Sequence, residues 1–309
     1  MDNTQLKNAQ DLWQPLSKAE RDADKIVRPS MTYWQDVWRR LKGNKVAMGS
    51  LIFLVFLILV AIFVPMFWPY SYSDQNLMNA NQSPTAEHIF GTDKHGRDLF
   101  IRVIYGARIS LTVGIAASII NLVVGVVYGG ISGYVGGRTD NLMMRIVDIL
   151  YTIPLTLYVI LLMVWLGAGM KSILIAIGTT YWISMARIVR GQILSLKEQE
   201  YVMAARTLGA SDSRILFKHL VPNAMGPIIV TMTMSIPSAI FTEAFLSFIG
   251  LGVSAPKASW GVLANDALGS FMLYPHHLFF PALALSLTML AFNFLGDGLR
   301  DALDPKMRK

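Results

Sequence analysis

Residues 47–68, 109–135, 149–170, 221–242 and 278–296 contain no Asp, Glu, Lys or Arg at all. A helix that crosses hydrocarbon needs about 20 largely apolar residues, because each backbone polar group must be satisfied within the segment. These five runs therefore predict membrane-spanning helices. A sixth run, 172–186, has only 15 uncharged residues before Arg187, and it spans if flanking basic side chains snorkel toward the headgroups. The expectation is an all-α, polytopic membrane protein with six transmembrane helices.

Composition agrees. The chain is 53% hydrophobic and 15% charged, against about 25% charged in soluble domains. A net charge of +7 in a soluble protein suggests nucleic acid. Here the basic residues lie between the apolar runs, so they act as orientation signals, and nucleic acid is not expected as a partner. Of the 27 Lys and Arg, 21 fall on one side of a six-span arrangement and 6 on the other. The positive-inside rule then puts both termini in the cytoplasm of a cell-membrane protein. The first 46 residues are polar with no cleavable leader pattern, so the first run is expected to be retained as an anchor.

The absence of Cys removes disulfide and thiolate-metal chemistry, and the five His show no pairing at ligand spacing, so no metal is expected. The expected organisation is a cytoplasmic tail over 1–46, a first span with its extracytoplasmic loop over 47–107, a five-helix core over 108–298, and a basic tail over 299–309. Within the first tail, Tyr33, Trp34, Val37, Trp38 and Leu41 fit one face of a helix, with Arg39, Arg40, Lys42 and Lys45 around it. That pattern predicts an interfacial helix on the lipid bilayer.

The most informative stretch is 187–222, long, polar and on the basic side. Tyr201, Ala204, Ala205 and Leu208 share one helical face, Gly209 punctuates, Ser211 is placed as an N-cap, and Ile215, Leu216, His219 and Leu220 resume the period until Pro222 stops it. Small residues at Ala204 and Ala205 let another protein approach the backbone closely. On these residues alone, a partner-docking element and an amphipathic connector on the bilayer are both open.

The stretch resembles the signature of permease subunits of binding-protein-dependent ABC importers: the pair Ala204 and Ala205, then Gly209, then Ile215 or Leu216, then Pro222. The blocks HIFGTDKHGRDLFIRVIYGARISL, EAFLSFIGLGVSAPKASWG and FNFLGDGLRDALDPK are similar to the peptide and nickel permease branch, most of all to oligopeptide permease C subunits. The resemblance implies a type I ABC importer permease fold and no catalysis in this chain. It also implies an assembly with a second homologous permease, two cytoplasmic ABC ATPase subunits that bind ATP and Mg, and an extracytoplasmic peptide-binding protein. No cofactor is then expected here, and no Lys follows a Gly, so the GK step of a phosphate loop is missing. On the same resemblance the ATPase-coupling residues are Tyr201, Met203, Ala204, Ala205, Leu208, Gly209, Ile215, Leu216 and Pro222. Met203 stands where the family usually has Glu, so an ionic contact at that point does not carry over. Dipeptide, glutathione and nickel permeases share the blocks and stay open as alternatives.

Glu243 lies inside an apolar run, where an ionised side chain costs about 2.5–3.5 kcal/mol at mid-membrane on insertion scales. It is a candidate for the translocation path or, alternatively, a hydrated residue at the outer interface. Asp148 is expected to pair with Arg145 at helix spacing. Gly125, Gly129 and Gly133, four apart, predict a close helix contact. The GTDKHGRD segment reads as a folded loop cap. A secondary transporter would show internal repeats, and an intramembrane enzyme a nucleophile or metal dyad; neither is evident.

Overall fold

The computed structural model describes residues 32–167 and 169–304; the last five residues of the basic tail and most of the polar N-terminal tail lie outside them. Among the described residues the only β pairing is an isolated bridge between Thr92 and Asp98, and the rest is helix and loop.

Helix α1 (Tyr33–Gly43) ends before Asn44, whose side chain accepts from the N–H groups of Val46 and Ala47 at 3.1 Å and starts α2 (Lys45–Phe67). Val37 and Leu41 pack with Ala47, Ala302 and Leu303. Part of the face assigned to lipid thus lies against the chain itself, while Trp38 stays exposed with Lys42 over its ring. Helix α2 turns Ile52, Val55, Phe56, Leu59, Phe63 and Met66 outward, an apolar face suited to hydrocarbon.

Helix α3 (Leu99–Val135) begins ten residues before the apolar run, because Asp98 accepts from the N–H of Ile101 at 2.9 Å and caps it. It packs on α6 (Met170–Leu196) through the three glycines. A Cβ on Gly125, Gly129 or Gly133 would lie 2.5 Å from Met185 Cβ, 2.2 Å from Ala186 O or 2.8 Å from Arg190 O respectively. The expected close contact is therefore present, and only hydrogen fits there.

Residue numbers rise together across this contact, with Ile120 against Gly178, Gly125 against Met185 and Gly133 against Arg190, so α3 and α6 run parallel. The chain between them must return along α3 from its end at Val135 to near Val113. It does so through α4 (Gly137–Thr152) and α5 (Leu155–Leu166), which meet at an 83° bend over Ile153 and Pro154. Pro154 has no N–H to give and disfavours a helical residue before it.

The two runs between 149 and 186 thus behave opposite to their lengths. Run 149–170, expected as one span, is broken, whereas 172–186 sits within a 27-residue helix that is long and apolar enough on its own. Among the described residues five helices meet that criterion, α2, α3, α6, α8 (Met225–Leu246, continued to Leu251) and α10 (His276–Leu303), or six if the bent pair is one span. The short α7 (Glu200–Thr207) lies between α6 and α8, and α9 (Trp260–Ala267) between α8 and α10.

Candidate functional site

Helix α7 ends in a Schellman motif. Gly209 has φ +80°, its N–H donates to Arg206 O at 3.0 Å, and the N–H of Ala210 donates to Ala205 O at 3.1 Å. The Ser211 hydroxyl then accepts from the N–H of Arg214 at 3.4 Å, as the sequence predicts. The chain continues through Asp212–Arg214, a wide π turn Ile215–Leu220, and Val221–Asn223. Pro222 does not stop the helix. It occupies an early position of the following turn, and the N–H of Val221 reaches back five residues to Leu216 O, a widening that accommodates the proline ring.

The structure sorts the sequence-predicted residues into two sets. Tyr201, Met203, Ala204, Leu208, Gly209 and Pro222 are exposed, Leu208 at 88%. Ile215 and Leu216 are buried with Val202, Leu220, Met185, Val189 and Ile193, and Ala205 packs partly against them. Ile215 and Leu216 thus belong to the anchor of this arm, not to its open face. Val202, the inward residue of α7, has no place in the Ala-Ala signature and was missed. Its position one residue from Tyr201, on the opposite face, was the available signal.

Polar contacts fix the same end of the helices. Arg190 donates from Nε and Nη2 to the two carboxylate oxygens of Asp140, both at 2.5 Å, and the Ser132 hydroxyl donates to Asp140 at 2.5 Å. The Tyr134 hydroxyl donates to Asp212 at 2.6 Å, and Lys197 Nζ to Gly133 O at 3.1 Å. Asp148 pairs with Arg187 at 2.8 Å instead of Arg145, because α6 brings Arg187 beside it; Arg187 also stacks over Tyr151 at 4.7 Å.

Glu243 is fully buried inside the chain. It accepts hydrogen bonds from the hydroxyls of Ser110 at 2.8 Å and Ser247 at 2.7 Å. Neither sequence expectation fits this placement. It does not line an open path, and it is not hydrated at an interface, because serines from α3 and from the end of α8 supply its polar neighbours.

At the opposite end of the helices the GTDKHGRD segment forms the expected folded cap. Arg97 Nε donates to Asp93 at 2.6 Å, Arg102 also bonds Asp93, and Asp266 on α9 lies 3.4 Å from Arg102 and 3.7 Å from Arg97. Burial alone would raise the pKa of Asp93, but the charge of Arg102, the backbone N–H of Arg97 and the charge of Arg97 outweigh it. The carboxyl sits below its ordinary value. His88 Nδ1 is 2.8 Å from Asp98, and His277 Nε2 is 2.8 Å from Thr92 O. Among the described residues no cluster of His, Asp and Glu has metal-site geometry.

Long apolar helices with an outward lipid-type face, a salt-bridged cap at one end and a core-anchored arm at the other define an integral membrane protein. The chain belongs to the binding-protein-dependent transport system inner membrane components, whose family pattern matches residues 122–309. Residues 32–84 match the N-terminal membrane domain of oligopeptide transport permease C. The chain is 57% identical to the oligopeptide transport system permease protein OppC of Bacillus subtilis, over 96% of this chain and 98% of that one. It is 55% identical to the dipeptide transport system permease protein DppC of the same organism, over 97% and 94%. The fold is shared with a subunit of the inward-facing MetNI methionine ABC transporter at a TM-score of 0.55 and 17% identity, over 65% of this chain and 96% of that one.

Proposed function

We propose that this chain is a pore-forming permease subunit of an ATP-driven importer of oligopeptides. It works with a second homologous permease, two cytoplasmic ATPase subunits that bind ATP and Mg, and an extracytoplasmic peptide-binding protein. The observation that carries the reading is the arm. An exposed face of Tyr201, Ala204 and Leu208 rides on a buried anchor of Val202, Ile215 and Leu216, the arrangement a docking surface needs if force is to pass into the membrane helices. The high identity to a peptide permease over nearly the whole length supports the substrate class.

In this reading the bent α4–α5 pair is one crossing, so the chain crosses six times with both termini cytoplasmic. The parallel run of α3 and α6 and the excess of Lys and Arg on the arm side support that count and direction. Segment 187–222 is the ATPase-coupling segment, and Met203 contributes an apolar surface there.

The test is copurification of the tagged full chain from membranes, with Leu208→Asp alongside. Recovery of two ATPases and a second permease, with the ATPases lost in the variant, supports the reading. A chain that purifies alone and still transports overturns it. The near-equal identity to a dipeptide permease favours dipeptides as the second reading. Uptake of labelled dipeptide and pentapeptide by the reconstituted assembly separates the two.

A further inference from the structure

A cavity of about 600 Å³ opens midway along the helices, between the α4–α5 break, α6 and α8. That is within the usual size of a small-ligand site. Among the described residues no charged side chain lines it. Besides Tyr151 and Tyr181, its polar wall carries aliphatic hydroxyls: Thr180 and Ser184, four apart on α6, and Thr231, Ser235 and Ser238, spaced four and three on α8. Each spacing puts its members on one helix face. Ser184 and Ser238 are exposed on helices long and apolar enough to cross a membrane. An exposed hydroxyl face on such a helix does not suit hydrocarbon.

Two independent observations point to a ligand. Asn121 lines the cavity from α3, is only 2% exposed, and its Oδ1 has no hydrogen-bond partner among the described residues. A buried polar atom left without a partner is costly. The second is the broken backbone at Ile153 and Pro154, which also lines the cavity. Irregular backbone at membrane depth is tolerated where protein buries it or where it borders a polar cavity, and interrupted helices of this kind build substrate sites in other transporters.

The hydrogen bonds give the wall a direction. Thr180 donates to Ala176 O at 3.1 Å, Thr231 to Pro227 O at 2.8 Å, Ser235 to Met232 O at 2.7 Å and Ser238 to Met234 O at 3.3 Å. With its proton committed to its own helix, each hydroxyl oxygen offers lone pairs. Together with Asn121 Oδ1 these four oxygens make a charge-free stretch of acceptors, beside the hydroxyls of Tyr151, Tyr181 and Ser184.

We infer that this cavity is the chain's part of the translocation path, and that it holds a peptide by the N–H donors of its backbone and amino end. This deepens the peptide-importer reading and rests on it. Every peptide carries such N–H donors whatever its side chains, so an acceptor wall without charge passes many sequences. It also replaces Glu243 as the path residue.

The natural chain has no cysteine, so single-cysteine variants report without background from this subunit. Ser184→Cys, Ser238→Cys and, as a lipid-face control, Val55→Cys are placed in the full assembly, reconstituted with its binding protein. Modification of this subunit by a hydrophilic thiol reagent is followed by mass, with and without pentapeptide, during ATP turnover. We expect the Ser184→Cys and Ser238→Cys variants to react and the Val55→Cys variant not to. Saturating peptide should slow the first two roughly tenfold, the factor mass action sets for a ligand at about ten times its Kd. Asn121→Leu should lower pentapeptide uptake roughly tenfold, the effect of losing about 1.4 kcal/mol of hydrogen bonding, while copurification of the partners is unchanged.

Failure of both serine-replacement variants to react, or reaction without protection by peptide, overturns the inference, because the face is then buried in lipid or against the second permease, or is wet but off the path. In either case an assembly that still imports pentapeptide leaves the importer reading standing. An assembly that binds ATPases but imports no peptide removes that reading, and the inference with it.

Discussion

Arg190 and Asp140, fifty residues apart, meet through two parallel hydrogen bonds of 2.5 Å and so tie α6 to the start of the bent pair. A fork of this kind fixes direction as well as distance. The Asp140 side chain is only 9% exposed, so removal of its partner leaves a carboxylate with the Ser132 hydroxyl and little else. Arg190→Ala is expected to destabilise the folded subunit by about 1.5–3 kcal/mol, the range for hydrogen bonds to charged groups. Arg190→Lys should recover part of that, since it keeps charge without the fork. Thermal unfolding in detergent checks both.

Gly129 sets a harder limit. Its missing side chain would fall 2.2 Å from the carbonyl oxygen of Ala186, and backbone on both sides leaves no rotamer to absorb the overlap. Gly129→Val should cost about 1–3 kcal/mol or more as an overpacked contact. Gly43→Val, at a glycine with open space around it, is the comparison. Folded yield after extraction measures the difference.

Gly209 differs again, because space is free there and the constraint is the positive φ. Gly209→Ala and Gly209→Val should each lose about 1–2 kcal/mol from the arm through left-handed strain, and Gly209→Asn less. Hydrogen exchange over Glu200–Thr207 reads the local loss.

Acid should open the cap. The carboxyl of Asp93 sits below its ordinary value of about 3.9 in the folded chain. Its ionic contacts therefore contribute stability in full above that value, and the contribution is lost as pH falls through the lower, folded value. Asp93→Asn should lower the Tm at neutral pH and flatten its decline as pH falls below the ordinary carboxylate value of about 3.9. Tm measured from neutral pH downward in wild type and variant decides it.

Glu243 gives a prediction about shape and polarity. Ser110 and Ser247 donate to different oxygens of Glu243, so Glu243→Gln keeps an acceptor for one serine and offers the other an amide N–H to which its hydroxyl can turn, whereas Glu243→Leu leaves both hydroxyls without a partner there. The leucine variant should lose about 1–3 kcal/mol more than the glutamine variant. Transport that survives in Glu243→Gln would show that the charge has no role in passage.

Local signals were legible in the sequence. Gly209, Ser211 and the repeat at Gly125, Gly129 and Gly133 act within one helix turn or along one helix face, so spacing alone exposes them. Contacts between distant segments were not. Asp148 had a partner at helix spacing in Arg145, yet the fold supplied Arg187 from another helix. Ser247 lies four residues from Glu243, at helix spacing, but Ser110 comes from another helix, and nothing near Glu243 announces it. The break at Pro154 has a local cause in the proline, but its size, 83°, depends on how α5 is held against α6. Pro222 misled because the turn that accommodates it lies in the preceding six residues, Ile215–Leu220, whose composition is ordinary.

The shared core of Val202, Ile215 and Leu220 with Met185, Val189 and Ile193 has a mechanical meaning. The arm's inner residues and those of α6 share one buried core, and a close-packed interior transmits strain. A displacement applied at Leu208 is therefore handed on along α6 like torque through a crank, toward Ser184 and Thr180 half a helix away. In the importer proposed above, the stiffness of that linkage, more than any single bond within it, sets how much of a stroke at one end of the molecule arrives at its middle.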